Sequence, residues 1–151
     1  STNDAAFNKK IAEYLQQVWG ELGVKVEVNI VEWKSFTPQR RSGNYQAARD
    51  GWVMDYNDPS NILELAVTGN GNNNCKYSNP DFDALMEKAA KEKDPKTRFG
   101  YFHQAEELAM KDAAMVPLLY YNDFYLQSDK VKDSWHSPDG FWHFEYADIA
   151  E

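Results

Sequence analysis

The chain has 151 residues, of which 42% are hydrophobic and 15% aromatic. This length suits one compact core and is short for two ordinary domains, and the aromatic content excludes an intrinsically disordered chain. The formal net charge is -8, and Lys and Arg form only short pairs such as Arg40 and Arg41. Nucleic acid is therefore not an expected partner.

The chain also lacks the usual signals of a membrane span or a metal site. No apolar run approaches the roughly 20 residues that cross a bilayer, and the first residues do not form a charged-then-apolar leader. This pattern predicts a soluble chain. The single cysteine, Cys75, permits no internal disulfide and lacks the clustered Cys or His partners of a zinc site. We therefore expect no metal and no other cofactor.

The first predicted element is a helix, because apolar residues recur at three- and four-residue spacing: Phe7, Ile11, Leu15, Val18 and Leu22. Asn3 or Asp4 is the predicted N-cap, and Gly23 is placed for a left-handed stop. Apolar and polar residues then alternate over 24–30, which predicts a strand with one buried face. A helix followed directly by a strand indicates α/β packing.

A short polar helix is predicted next, ending at Gly43, with Pro38 expected near its first turn. An extended segment over about 45–54 is predicted to be a strand. Three later helices are predicted near 59–68, 80–92 and 95–112. Each begins with a capping residue directly before proline: Asp58-Pro59, Asn79-Pro80 and Asp94-Pro95.

Loops and short strands are predicted for the rest of the chain. The Gly- and Asn-rich stretch "TGNGNNNCKYS" predicts a surface loop. The segment "AAMVPLLYYNDFYLQS" predicts a pair of strands around its Asn-Asp turn. Residues 128–151 are predicted to be an irregular, aromatic-rich C-terminal tail.

No convincing set of catalytic residues emerges from the sequence. His103 lies in a predicted helix and is better explained as a packed or solvated residue than as a catalyst. His136 and His143 lack a second histidine at the short helical spacing of a metal site. Asp55 and Asp58 could form an acid/base pair, but Asp58 already serves as the cap before Pro59. The chain is therefore predicted not to be an enzyme.

A binding site is better supported, in the stretch "ARDGWVMDYNDPSN". Gly51 lets another backbone approach closely, so the strand edge near Trp52 could pair with an extended ligand. Asp55 offers a carboxylate for an ammonium group, and Arg40 and Arg49 could hold a carboxylate by bidentate contact. The alternative is that Trp52 belongs to the core and Arg49 forms an internal ion pair with Asp55.

Four ordered blocks resemble the C-terminal part of family 5 extracellular solute-binding proteins, the receptors of peptide ABC transporters. The blocks are "KKIAEYLQQVWGELGVKVEVNIVEWKSF", "RRSGNYQAARDGWVMDYNDPSN", "YSNPDFDALMEKA" and "AEELAMKDAAMVPLLYY". The resemblance implies one lobe of a type II periplasmic-binding-protein-like fold, an α/β structure with a mixed sheet flanked by helices. It also implies that residues 1–151 form a single C-terminal lobe whose N-terminal lobe is missing.

The resemblance implies a role for several residues of the stretch quoted above. The backbone around Gly51 and Trp52 would bind an extended peptide as an added strand, and Asp55 would bind the N-terminal ammonium of that peptide. Arg49 and Arg40 match positions that can meet its C-terminal carboxylate. Three further residues complete the predicted ligand-binding set: Val53, Tyr56 and Asn57. Val53 stands where some relatives carry a disulfide-bonded cysteine.

The implied partners are a peptide, an ABC permease in the membrane and the missing lobe, in a periplasmic or lipid-anchored protein outside the cytoplasm. Two alternatives stay open. Relatives of this kind can bind nickel chelates, haem, glutathione or sugars instead of peptides. The chain could also be a small carbohydrate-active domain that uses Trp135 and Trp142 as stacking surfaces and Asp55 or Glu145 as the acid.

Overall fold

The computed structural model describes residues 1–122, 124–137 and 140–150. Its α-helices are α1 (Ala6–Glu21), α2 (Trp33–Ser42), α3 (Ser60–Leu63), α4 (Pro80–Lys91) and α5 (Pro95–Lys111). Its strands are β1 (Thr2–Asn3), β2 (Ile30–Val31), β3 (Val131–Lys132), β4 (Trp135–His136), β5 (Trp142–His143) and β6 (Asp148–Ile149). The predicted α/β class is confirmed.

The strands form three separate two-stranded ladders within the described residues. β1 and β2 are parallel, with Thr2 opposite Ile30, and α1 is the crossover between them. β3 pairs with β6 and β4 with β5, both antiparallel. The segment that was predicted to be an irregular tail therefore contains two of the three ladders.

Side-chain caps start the last two helices as predicted. Asn79 accepts hydrogen bonds from the backbone N–H groups of Asp81 and Phe82, and Asp94 accepts one from Thr97. The helix predicted at 59–68 is shorter, because α3 ends at Leu63 and a 3-10 turn over Glu64–Ala66 replaces its second half. The predicted stops are confirmed, since Gly23 and Gly43 have φ of 81° and 74°.

Two predictions about helix starts are wrong. Neither Asn3 nor Asp4 caps α1: Ala5 precedes the helix without a side-chain cap, while Asn3 is buried in β1 and its Oδ1 accepts from Asn8 Nδ2 at 2.7 Å. Tertiary burial thus outweighed local capping. Pro38 lies in the interior of α2 and not in its first turn, because α2 already begins at Trp33, where Glu32 provides the cap.

The three predicted strand segments also differ from the structure. Of residues 24–30, only Ile30 belongs to a strand, although Val26 and Val28 are half-buried and their polar neighbours exposed. Residues 45–54 form no ladder, and neither do the described residues of 113–128. The alternation of apolar and polar residues indicates which face of a segment is buried. A β-strand also needs a neighbouring segment of matching length to which its backbone can hydrogen-bond.

The hydrophobic core lies among α3, α4 and α5. Its buried members are Leu63, Ala66, Phe82, Ala89, Phe102, Ala105 and Ala109. By contrast, the apolar residues of α1 stay partly in contact with solvent, since Phe7 is 52% exposed. The packed core of α3, α4 and α5 therefore lies next to the segment that carries the predicted site.

Candidate ligand-binding site

The predicted site lies on residues 50–58, called the binding loop below, which precede α3. Most of its residues are exposed, among them Gly51, Trp52, Val53, Asp55, Tyr56 and Asn57. Trp52 is 39% exposed, so the alternative that placed it in the core is wrong. The loop presents a backbone and several polar groups to solvent.

Arg40 makes an internal ion pair in this structure. Its Nη1 lies 2.5 Å from Asp50 Oδ1, and its side chain is only 12% exposed. The second oxygen of Asp50 accepts from Asn74 Nδ2 at 2.9 Å. A ligand carboxylate at Arg40 would have to displace Asp50, so the structure does not present Arg40 as a free anion-binding group.

Arg49 lies across Gly51. The guanidinium donates to the hydroxyl of Tyr121 at 2.9 Å, and its Nη2 lies 2.9 Å from the point where a Cβ on Gly51 would be. Among the described residues Arg49 makes no ion pair with Asp55, so the alternative of an internal Arg49–Asp55 pair is wrong. The space left by the missing side chain of Gly51 is used by Arg49.

Part of the backbone of the binding loop is free to pair with a ligand. The N–H of Gly51 is already satisfied by Asp50 Oδ1 at 2.7 Å. The N–H groups of Trp52, Val53 and Met54 donate to no acceptor within the described part of the chain. Because Trp52 and Val53 are exposed, an extended chain laid along one side of this segment can accept from alternate N–H groups, since successive N–H groups of an extended backbone point to opposite sides.

Asn61 joins two parts of the binding loop and was missed by the sequence analysis. Its Oδ1 accepts from Trp52 Nε1 at 2.9 Å and from the backbone N–H of Asp55 at 3.1 Å. Its side chain is 0% exposed. The available signal was a polar residue next to apolar Ile62 and Leu63 on a short helix, which is too common a pattern to single it out.

The carboxylate of Asp55 points to no described partner. Asp55 is exposed, and only its backbone N–H is bonded, to Asn61. Tyr56 is tied to the start of α3 through its hydroxyl, 3.3 Å from Ser60 Oγ. Asp55 is therefore the anionic side chain of the loop that remains open to a cationic ligand group.

Asp58 fixes the end of the loop. Its carboxylate accepts Nη1 and Nη2 of Arg98 at 2.6 and 2.8 Å, and its Oδ1 also accepts from the N–H and hydroxyl of Ser60. The hydrogen bonds from Arg98 hold the pKa of Asp58 far below its usual range. Asp58 therefore remains ionised and is not a proton donor to pair with Asp55.

The aromatic tail offers little to the carbohydrate-active alternative. One face of the Trp135 ring stacks on His143 at 3.7 Å between centroids. The backbone N–H of Glu145 and the ring of His143 lower the pKa of Glu145, whereas a general acid needs a raised pKa.

Among the described residues no three His, Cys, Asp or Glu side chains group as metal ligands, and no helix is long and apolar enough to cross a membrane.

Comparison with known proteins identifies the family. Residues 1–74 match the family model described as bacterial extracellular solute-binding proteins, family 5 Middle. The chain belongs to family 5 of the bacterial extracellular solute-binding proteins. It is 37% identical over 142 residues to the dipeptide-binding protein DppE of Bacillus subtilis, an alignment that covers 93% of this chain and 26% of DppE.

Two solved structures extend this likeness to the fold of the family 5 proteins. The structure of Burkholderia pseudomallei OppA superposes with a TM-score of 0.78 at 36% identity, covering 87% of this chain and 26% of that one. Haemophilus influenzae OppA in complex with RPPGFSPFR gives a TM-score of 0.75 at 31% identity, with 80% and 24% coverage. The chain thus spans about a quarter of the length of the curated relatives it matches.

Proposed function

We propose that this chain is part of the receptor of a peptide import system and contributes one wall of its peptide-binding cleft. The observation that carries the proposal is the open carboxylate of Asp55 beside the free backbone donors of Trp52, Val53 and Met54. An extended peptide offers the matching groups, namely an N-terminal ammonium and a row of backbone carbonyls. The similarity to DppE and to OppA in complex with RPPGFSPFR supports the same ligand class.

In this proposal the binding loop recognises the form of a peptide and not its sequence. Backbone pairing is the same for every residue type, and the ammonium is common to all free peptides. Asp55, Gly51, Trp52 and Val53 form the proposed contact surface, with Tyr56 and Asn57 at its end. Arg49 and Arg40 would meet a ligand carboxylate only after releasing Tyr121 and Asp50.

The full-length protein would complete the cleft with a second lobe. Closure of two lobes on a bound peptide excludes water and strengthens the charged contact at Asp55. We propose that the receptor works outside the cytoplasm, in the periplasm or held by a lipid anchor, and delivers the peptide to an ABC permease. It performs no chemical step on the peptide.

Calorimetric titration of the full-length protein with tri- to pentapeptides tests the proposal. Asp55→Asn should weaken the binding of free peptides by about 30-fold, equivalent to about 2 kcal/mol, since it removes a charge-assisted hydrogen bond. N-acetylated peptides should bind wild type and Asp55→Asn equally weakly. Asp129→Asn is the matched control, because it removes an exposed carboxylate in the tail. Absence of heat with every peptide would contradict the proposal and direct attention to metal chelates, haem and sugars.

A further inference from the structure

Asn61 holds the two ligand-facing parts of the binding loop with one atom. Its Oδ1 receives the indole N–H of Trp52 and the backbone N–H of Asp55, at 2.9 and 3.1 Å. These two residues are three positions apart in an irregular segment that no ladder supports. The shared acceptor therefore fixes the Trp52 ring and the Asp55 backbone relative to each other.

The chemistry of the partners determines which way the Asn61 amide is turned. An indole N–H and a backbone N–H can only donate, so the atom between them has to be the carbonyl oxygen. The Nδ2 of Asn61 is buried and has no partner among the described residues, which is a cost that the fold tolerates at this position. A leucine of similar size would remove the buried amide group but would strand both donors.

Asn61 is itself held by the packed part of the molecule. Its backbone N–H donates to the carbonyl of Asp58 at 3.0 Å, and its neighbour Leu63 belongs to the core. The carboxylate of Asp58 is bound to Arg98 of α5. The position of the Asn61 oxygen is thus set by α3, by α5 and by Asp58 at the end of the binding loop, and not by the exposed residues Trp52 to Asp55 that it holds.

We propose that Asn61 is a positioning residue, which orients the Asp55 carboxylate and the Trp52 edge toward the ligand without touching the ligand. This inference rests on the proposed peptide-binding function. In the protein without ligand, Asn61 is also expected to protect the Trp52 indole N–H and the Asp55 backbone N–H from hydrogen exchange with water.

The experiment uses the full-length protein with four substitutions. Asn61→Leu removes the shared acceptor. Asn61→Asp keeps an oxygen at the same place and serves as the conservative variant. Asn73→Leu is the matched control, because Asn73 is also a buried asparagine that bonds to the backbone, but in the loop before α4. Trp52→Phe assigns the indole signal of Trp52 among the indole signals of the full-length protein, which include those of the five tryptophans in this chain.

Hydrogen exchange is measured first, without ligand. In Asn61→Leu the Trp52 indole N–H and the Asp55 amide should exchange about tenfold faster or more, the ratio that corresponds to 1.4 kcal/mol per lost hydrogen bond. Asn61→Asp should retain protection at both sites. Asn73→Leu should lower the melting temperature while leaving both sites protected. Unchanged protection in Asn61→Leu would overturn the inference.

Peptide selectivity is measured second, as the ratio of the dissociation constants of an N-acetylated and a free tripeptide. Asn61→Leu should reduce this ratio by about tenfold, whereas Asn73→Leu should leave it as in wild type. A ratio that stays unchanged in a folded Asn61→Leu protein would also overturn the inference. If wild type binds neither peptide, the proposed function fails, and the exchange result still decides whether Asn61 positions the loop.

Discussion

The two terminal nitrogens of Arg98 donate to the two carboxylate oxygens of Asp58, at 2.6 and 2.8 Å, and so join α5 to the end of the binding loop. The guanidinium also lies over the ring of Phe102, 4.6 Å from its centroid. Both charged side chains are about one quarter exposed, 27% for Arg98 and 24% for Asp58. The pair therefore links the exposed binding loop to the hydrophobic core.

We expect Arg98→Met to lower the free energy of unfolding at pH 7 by about 1 kcal/mol, a figure reduced for partial solvent screening. The pairing lowers the pKa of Asp58 in the folded protein. The ion pair therefore contributes to the free energy of unfolding above the ordinary aspartate pKa of 3.8, and this contribution is lost as the pH falls through the lowered pKa of Asp58 in the folded protein. Wild type should thus lose stability below about pH 4, and Arg98→Met should lose less there. Urea unfolding at pH 7 and pH 3 measures both effects.

Lys91→Met is the control for the Arg98 variant. It removes an exposed ion pair with Glu87, one turn away on α4. The change at pH 7 should be much smaller, because both side chains remain largely in water. Equal effects of the two substitutions would contradict a special role for the Asp58–Arg98 pair.

Tyr77→Phe should destabilise the protein by about 1 kcal/mol or more at neutral pH, since it removes two hydrogen bonds of the hydroxyl, one donated to Asp112 and one accepted from Asn79, and keeps the ring packed on Phe82. The Tyr77 hydroxyl donates to Asp112 Oδ2 at 2.6 Å. Burial, followed by this bond, raises the pKa of Tyr77 from 10.0 to about 12. The Tyr77 hydroxyl therefore stabilises the fold at pH values below the pKa of tyrosine in the unfolded chain. This stabilisation is lost as the pH rises through the pKa of Tyr77 in the folded protein, so it should disappear between pH 10.0 and about 12.

Thermal unfolding between pH 8 and pH 11 checks this expectation. Tyr14→Phe is the control, because Tyr14 is 65% exposed on α1. Wild type and Tyr14→Phe should lose stability in parallel at the alkaline end, whereas Tyr77→Phe should show a shallower decline. Parallel curves for all three proteins would rule out the proposed coupling of Tyr77 to stability.

Gly51→Ala should displace Arg49 and break its hydrogen bond to Tyr121. The new methyl would lie 2.9 Å from Arg49 Nη2, and the flexible guanidinium is the group that can move. We expect a loss of about 1 kcal/mol in stability. The loss should vanish in an Arg49→Met background, as a double-mutant cycle would measure. Gly71→Ala is the control, since a Cβ there meets nothing within 4 Å. If the stability losses of Gly51→Ala and Arg49→Met simply add in the double variant, the predicted contact between the new methyl and Arg49 is contradicted.

Gly100→Ala should stabilise the protein by about 0.5 to 1 kcal/mol, because alanine loses less backbone entropy in a helix interior than glycine. Gly100 lies within α5, and a Cβ there has open space. Gly43→Ala should have the opposite effect, since Gly43 has φ of 74° and its Cβ would lie 2.9 Å from Lys76 Cγ. Guanidinium unfolding midpoints compare the two variants, and destabilisation by Gly100→Ala would contradict the argument.

The sequence by itself determined the local features of this protein. The caps at Asn79 and Asp94 and the stops at Gly23 and Gly43 depend on groups within a few residues of each other, so residue type and spacing were enough to predict them. The α/β class was predictable because helical and extended patterns alternate along the chain, whereas the irregular form of the stretch around Asp55 was not predicted. The structure of the period-2 segment at 24–30 was not predictable either, because a ladder depends on a partner strand elsewhere in the chain.

Only the tertiary structure decided how the candidate site is held together. Arg40 pairs with Asp50, Arg49 reaches Tyr121, and Asp58 binds Arg98, contacts that join residues 10, 72 and 40 positions apart. The role of Asn61 depends on its burial and on the two N–H groups of an irregular loop, from Trp52 and Asp55, that donate to its side-chain oxygen. Local periodicity carries no information about such contacts, because a polar side chain becomes a specific partner only when packing removes water and brings its complement within hydrogen-bond distance.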